Sequence, residues 1–173
     1  RGRADGRAVP PPFWRPLGQP GGLPAVRRQA LERGEPARGK IGGRRPSVHG
    51  NTLMALSVGY HPIRRAPYAP LLVEMPHLPA PWLFHCESNG PDGALCDVCS
   101  GRALEQLIME EGPETVAAFI AEPIVGAAAP GVTPPSGYYD NVREICYRYG
   151  VLFVADAVLT GLGRAGLDWG IPL

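Results

Sequence analysis

TVAAFIAEP (residues 115–123) and GVLFVAD (residues 150–156) decide the fold of this chain. Each carries a short continuous apolar run, Val116 to Ala121 and Val151 to Ala155, of the length expected for a strand covered on both faces. Each run ends at a carboxylate, Glu122 in the first and Asp156 in the second. Between them Tyr139, Val142, Ile145, Cys146 and Tyr149 recur along one helical stripe; Ser136 stands at a cap position and Gly150 where a helix C-terminal glycine belongs. Strand, helix, strand is the pattern of a right-handed crossover between parallel strands in an α/β sheet. Both strands then end at one edge, so Glu122 and Asp156 share the carboxyl edge, where open α/β sheets bind ligands. Buried acids at strand ends are also often paired with an arginine, and position alone leaves both readings open.

Working outward, Leu104, Leu107 and Ile108 recur at helical spacing, Glu105, Glu110 and Glu111 fill the opposite face, and Gly112-Pro113 stops the helix. Further upstream, residues 1–26 hold six prolines (Pro10, Pro11, Pro12, Pro16, Pro20, Pro24) and five glycines with no apolar period. Such a stretch buries too little to offset its ordering entropy, so 1–26 reads as disordered or foreign to the fold, or as a proline-rich ligand, and 27–173 as the folded unit. At 173 residues with 17 basic and 16 acidic side chains, the chain is long enough for one core, and its charge gives no reason to expect nucleic acid or an anionic membrane. The basic residues crowd the first 65 positions (Arg27, Arg28, Arg44, Arg45, Arg64, Arg65). They come without interleaved aromatics, and read as a solvated surface before a nucleic-acid patch. No apolar run approaches the roughly 18 residues of a membrane span. With no secretory pattern and no regular cysteine framework, the default compartment is the cytoplasm.

Several motifs resemble one family when taken in order: AFIAEPIVG (118–126), GYY (137–139), VREIC (142–146), GVLFVAD (150–156) and TGLGRAG (160–166). Upstream, RRPSVHGNTLMALSV (44–58) and RRAPYAP (64–70) resemble the same family's segment around its Tyr-His-Gly motif. The family is that of the class III aminotransferases, the ornithine/GABA-type enzymes that use pyridoxal phosphate (PLP). The resemblance runs from about Arg27 to the end and implies an α/β fold: a three-layer, mostly parallel sheet, part of the fold-type I PLP-transferase large domain. It further implies amino-group transfer from an amine or amino acid to a keto acid or other carbonyl acceptor, in a homodimer.

By that resemblance Asp156 is the carboxylate set against the pyridine nitrogen, and Val158 packs on a face of the cofactor ring. Val48 stands where the family commonly has an aromatic residue on the other face, followed by His49 and Gly50, and Glu122 matches the family's Glu-Pro near the cofactor. Ala157 departs from the glutamate usual at its position. Val48 forgoes the ~0.5–1.5 kcal/mol that offset aromatic stacking adds. The family's phosphate-binding Gly-Ser turn has no counterpart in residues 1–26. Its Schiff-base lysine belongs downstream of the 160–166 motif, whereas Lys40 is the sole lysine here. The chain, which runs from Arg1 to Leu173, therefore reads as part of a longer enzyme without its catalytic lysine, or as an inert fragment of one.

Two other chemistries fit pieces of the sequence. GLGRAG (161–166) has the letters of a dinucleotide fingerprint after a strand, but the helix and the ribose-binding acid it needs have no room before Leu173. His85, Cys86, Cys96 and Cys99 include one Cys-x-x-Cys pair with near neighbours, which suits either zinc or a loop of free thiols. Cys146, on the helical stripe, reads as core. Lys40, ahead of the Val-His-Gly segment, matches no catalytic position. Added PLP is accordingly expected to show the same absorbance spectrum with the chain and with its Lys40→Ala variant; a band lost on that substitution overturns the reading.

Overall fold

The computed structural model describes residues 22–83, 86 and 95–166. Four strands, β1 (Lys40–Arg45), β2 (His77–Pro79), β3 (Val116–Ala121) and β4 (Leu152–Ala155), form one sheet in the order β2-β1-β3-β4. Every pairing is parallel. The α/β, parallel-sheet expectation is met, and both decisive apolar runs are strands side by side: Ala118 pairs with Leu152 and Ala121 with Ala155. Six helices accompany the sheet: α1 (Gly22–Glu32), α2 (Leu53–Val58), α3 (Pro62–Arg65), α4 (Asp97–Ser100), α5 (Ala103–Glu111) and α6 (Tyr138–Arg148), with a 3-10 segment at Ala66–Leu71. None of the described helices is long and apolar enough to cross a membrane.

Three layers result from how β3 shares its side chains between its two faces. Val116, Phe119 and Ala121 pack with Leu104, Leu107 and Ile108 of α5 and with Tyr138, Val142, Ile145 and Cys146 of α6. Ala117, Ala118 and Ile120 pack on the other side with Leu23 and Val26 of α1, Ile41, Val58 and Met75. Every residue of β3 is buried. That explains its unbroken apolar run, each large side chain contributing ~1.5–3 kcal/mol on burial.

The strand β1 was not foreseen, because its sequence, KIGGRR, has neither an apolar run nor alternation. Its glycines explain its place in the sheet. A Cβ on Gly43 would come within 2.3 Å of the Val58 carbonyl oxygen, and one on Gly42 within 3.2 Å of the Phe119 ring. Only a bare backbone lets the end of α2 lie directly on β1. Arg44, next along, is fully buried.

Some expectations are corrected. The helix α1 starts at Gly22, so residues 22–26 do not share the disordered or foreign character assigned to 1–26; Leu23, Val26 and Ala30 form a buried stripe at helical spacing. Ser136 does not cap α6; Gly137 does, with φ +79° and no side-chain bond. In the first turn of α6 the buried tyrosine is Tyr138, while Tyr139 is only partly covered. The early arginines are not all a solvated surface. Arg38 donates to the carbonyls of Val116 (2.6 Å) and Tyr149 (2.9 Å), and Arg65 donates to those of Ser57 (2.9 Å), Gly59 (2.6 Å) and Leu56, capping the C-terminus of α2. Phe13, Trp14 and His85 lie outside the described residues.

Gly43→Ala should lower the unfolding free energy by about 1–3 kcal/mol, since the new methyl meets backbone that cannot yield without shifting α2. Gly39→Ala, with nothing within 4 Å of its Cβ, should change it by less than about 1 kcal/mol. Urea midpoints for the two variants make the comparison, and equal midpoints would contradict the packing described.

Candidate functional site

The carboxyl ends of β1, β3 and β4 open onto one edge, and the chain leaving each strand supplies the polar groups there. After β4 comes Asp156, whose amide still donates to the Ala121 carbonyl (2.9 Å), so its side chain is held at the end of the ladder. After β3 comes Glu122, and after β1 come Ser47, Val48, His49 and Gly50. The Arg45–Pro46 peptide bond is cis.

His49 and Asp156, 107 positions apart, meet with Nδ1 and Oδ2 at 2.8 Å. Both are buried, His49 at 3% exposed and Asp156 at 7%. A carboxylate only accepts, so the imidazole Nδ1–H is the donor and the ring plane is set by the bond. The other carboxylate oxygen, Oδ1, accepts the Val158 amide at a long 3.3 Å. His49 Nε2 is buried and has no partner among the described residues.

Glu122 holds the same segment from the other side, its Oε1 accepting the Val48 amide at 2.9 Å. Burial raises the Glu122 carboxyl above its ordinary value; the Val48 amide, His49 and Arg44 oppose that rise, and Asp156 adds to it. The Glu122 backbone carbonyl accepts from Arg44 and from the Tyr139 hydroxyl (2.7 Å). Burial, partly opposed by Arg44, pushes the Tyr139 hydroxyl up to about 12, so it stays protonated and can donate.

The structure therefore brings Asp156, His49, Glu122 and Val48 into one bonded group. Gly50 follows His49 with φ +122°, a conformation that a side chain at this position would strain. Val158 is two residues past the strand and 71% exposed, an isolated apolar side chain beside a buried carboxylate. Lys40 stands apart: it begins β1 at the opposite edge of the sheet, and its Nζ pairs with Glu111 Oε2 at 2.8 Å while half-exposed. Residues 158–165 are turns, and no helix follows the GLGRAG letters among the described residues. Sequence reasoning missed Arg44 and the hydroxyl role of Tyr139. An arginine inside a Gly-Gly-Arg strand offered no signal of full burial, and Tyr139 was read only as part of an apolar stripe.

Residues 22–172 match the family model for class III aminotransferases. The chain belongs to that family. Among curated relatives it is similar to the uncharacterized aminotransferase YodT of Bacillus subtilis, 38% identical over 120 residues, which are 69% of this chain and 27% of that protein. It is also similar to the probable mitochondrial gamma-aminobutyrate transaminase 2 of Oryza sativa, 36% identical over 81% of this chain and 28% of the relative. Among solved structures, an amine transaminase from an uncultivated Pseudomonas species in its PLP-bound form superposes with a TM-score of 0.74. Its identity is 33%, covering 86% of this class III chain and 33% of that one. The chain thus spans less than a third of the curated relatives' length, and what it matches is the part of the fold that carries the Asp156 edge.

Because Glu122 has a higher pKa folded than unfolded, the folded state holds its proton over a window where the unfolded state has released it. Its contribution to stability is complete below the ordinary value of 4.5 and is lost as pH rises through the raised one. Glu122→Gln keeps an acceptor for the Val48 amide and removes the titration. The unfolding free energy of the wild type minus that of the variant should fall as pH rises from below 4.5 through that window, and a flat difference would contradict the assignment.

Proposed function

We propose that this chain carries the pyridoxal-phosphate edge of an aminotransferase, with Asp156 as the carboxylate facing the pyridine nitrogen. The observation that carries the reading is the buried His49–Asp156 pair at the carboxyl end of β4. The residues present fit the cofactor: Asp156 Oδ1 has accepting capacity left beside one long bond, and Val158 offers an apolar surface next to it. Bound there, pyridoxal phosphate supplies an electron sink, its protonated ring withdrawing the electron pair released when the substrate Cα–H bond breaks.

The remaining work belongs to the chain. Asp156 holds the proton on the ring nitrogen by its negative charge, and His49 keeps the carboxylate turned to that position through Oδ2. Val158 and Val48 give apolar contact to the ring, Val48 with less area than an aromatic side chain would. Glu122 holds Val48 in place through its amide, and Gly50 lets the chain turn away without a side chain over the site. Lys40 takes no part: five residue steps along β1 place it roughly 16 Å from the carboxyl edge at the rise of an extended strand.

For the whole enzyme we propose amino-group transfer from an amine or amino acid to a keto acid or other carbonyl acceptor, by a homodimer in the cytoplasm. The family membership and the names of the relatives support this reading.

The test is PLP titration of the chain, followed by the quenching of its tryptophan fluorescence. Asp156→Ala should weaken binding about tenfold or more, the worth of a hydrogen bond to a charged group. Asp156→Asn should bind with an absorbance spectrum shifted to that of the unprotonated ring. Unchanged affinity in Asp156→Ala would sink the proposal.

A further inference from the structure

Away from this edge, three cysteines distant in the loop sequence converge. The Sγ atoms of Cys86, Cys96 and Cys99 all lie within 4.8 Å of one another. Cys86 and Cys96 approach to 2.8 Å, closer than two sulfurs rest without a bond between them and longer than the ~2.05 Å of a disulfide. A tetrahedral zinc with bonds of ~2.3 Å to sulfur holds its sulfurs ~3.8 Å apart, a value inside the range seen here.

The backbone around the pair is shaped for a ligand. Cys96 is the N-cap of α4, in extended conformation, and its sulfur accepts the Cys99 amide at 3.4 Å. Gly101 closes the turn in the left-handed region with φ +84°. A Cys-x-x-Cys turn with an N–H aimed at the first sulfur stabilises that sulfur as a thiolate, the form that binds metal. Burial raises Cys96, but hydrogen bonds from Cys86 and from the Cys99 and Val98 amides bring it below its ordinary value; burial and the two neighbouring sulfurs push Cys99 up to about 12. Three sulfurs this close cannot all ionise by themselves, and a divalent cation among them removes that conflict.

We propose that Cys86, Cys96 and Cys99 form a zinc site, separate from the Asp156 edge, that fastens the loop after β2 to α4. Each thiol gives up its proton to solvent as its zinc–sulfur bond forms, and water occupies the fourth position. The site has a structural consequence. The Asn141 side chain of α6 donates to the Ser100 carbonyl at 2.8 Å, and a Cβ on Gly101 would come within 2.9 Å of the Tyr138 carbonyl oxygen. A metal-fixed α4 would therefore brace the start of α6.

The experiment is metal analysis of the full chain purified in reductant without chelator, with Co2+ exchange followed in the visible spectrum. About one zinc per chain is expected, and Co2+ should show sulfur-to-metal charge transfer and the strong bands of a tetrahedral thiolate site. Cys96→Ser and Cys99→Ser should each lower metal affinity about tenfold or more, whereas Cys146→Ser, whose buried sulfur lies outside the cluster, should retain it. Should the serine variants misfold, displacement of zinc from the wild type by a mercurial thiol reagent reads the same ligation directly. Absence of metal with all thiols titratable, metal retained in both serine variants, or a Cys86–Cys96 disulfide in the reduced preparation overturns the proposal.

Discussion

A guanidinium closed inside the sheet is the constraint on which the carboxyl edge depends. Arg44 has no exposed surface, and a buried charge is tolerated only when its donors are engaged. It donates to the Glu122 carbonyl and lies 3.4 Å from the Tyr139 hydroxyl, which in turn donates to the same carbonyl. The end of β1, the exit from β3 and the first turn of α6 are thereby tied to one point. The strand carrying Arg44 reaches the centre of the sheet because Gly42 and Gly43 have no side chains to hold α2 and Phe119 away.

From that point the site is assembled by backbone direction. Parallel strands deliver their C-termini to one side, so Glu122 and Asp156 arrive together without any interaction between them being required. The chain after β1 then crosses above them, secured at two places: the Val48 amide on Glu122 and the His49 ring on Asp156. Arg65 keeps α2 compact behind this crossing by occupying its last carbonyls. Each hold is a polar bond within the folded interior, where a bond costs more to lose than it gains when formed. Loosening any one of them would release the His49 ring from the Asp156 carboxylate.

The cysteine cluster lies elsewhere and works through a different chemistry. Its cysteines come from the loop that follows β2 and from α4, which packs on α6, the helix whose Tyr139 helps fix Glu122. The aminotransferase edge and the thiol cluster thus share a helix and no ligands.

Much of this was legible in the amino-acid order. The run 116–121, apolar throughout, can satisfy its surface only between two layers, and a helix-length interval before 151–155 forces the crossover that makes the strands parallel. Those two facts place Glu122 and Asp156 at one edge, and the family resemblance at 44–58 and 160–166 attached a chemistry to them. Tertiary structure decided the rest. The strand KIGGRR has no periodic signal, since its place depends on what must approach it and not on what it buries. Arg44 at full burial, the His49–Asp156 bond across 107 positions and the meeting of three thiols are all contacts between distant segments. Local spacing encodes which face a residue takes within its own element. Which remote side chain waits there is set only when the layers close.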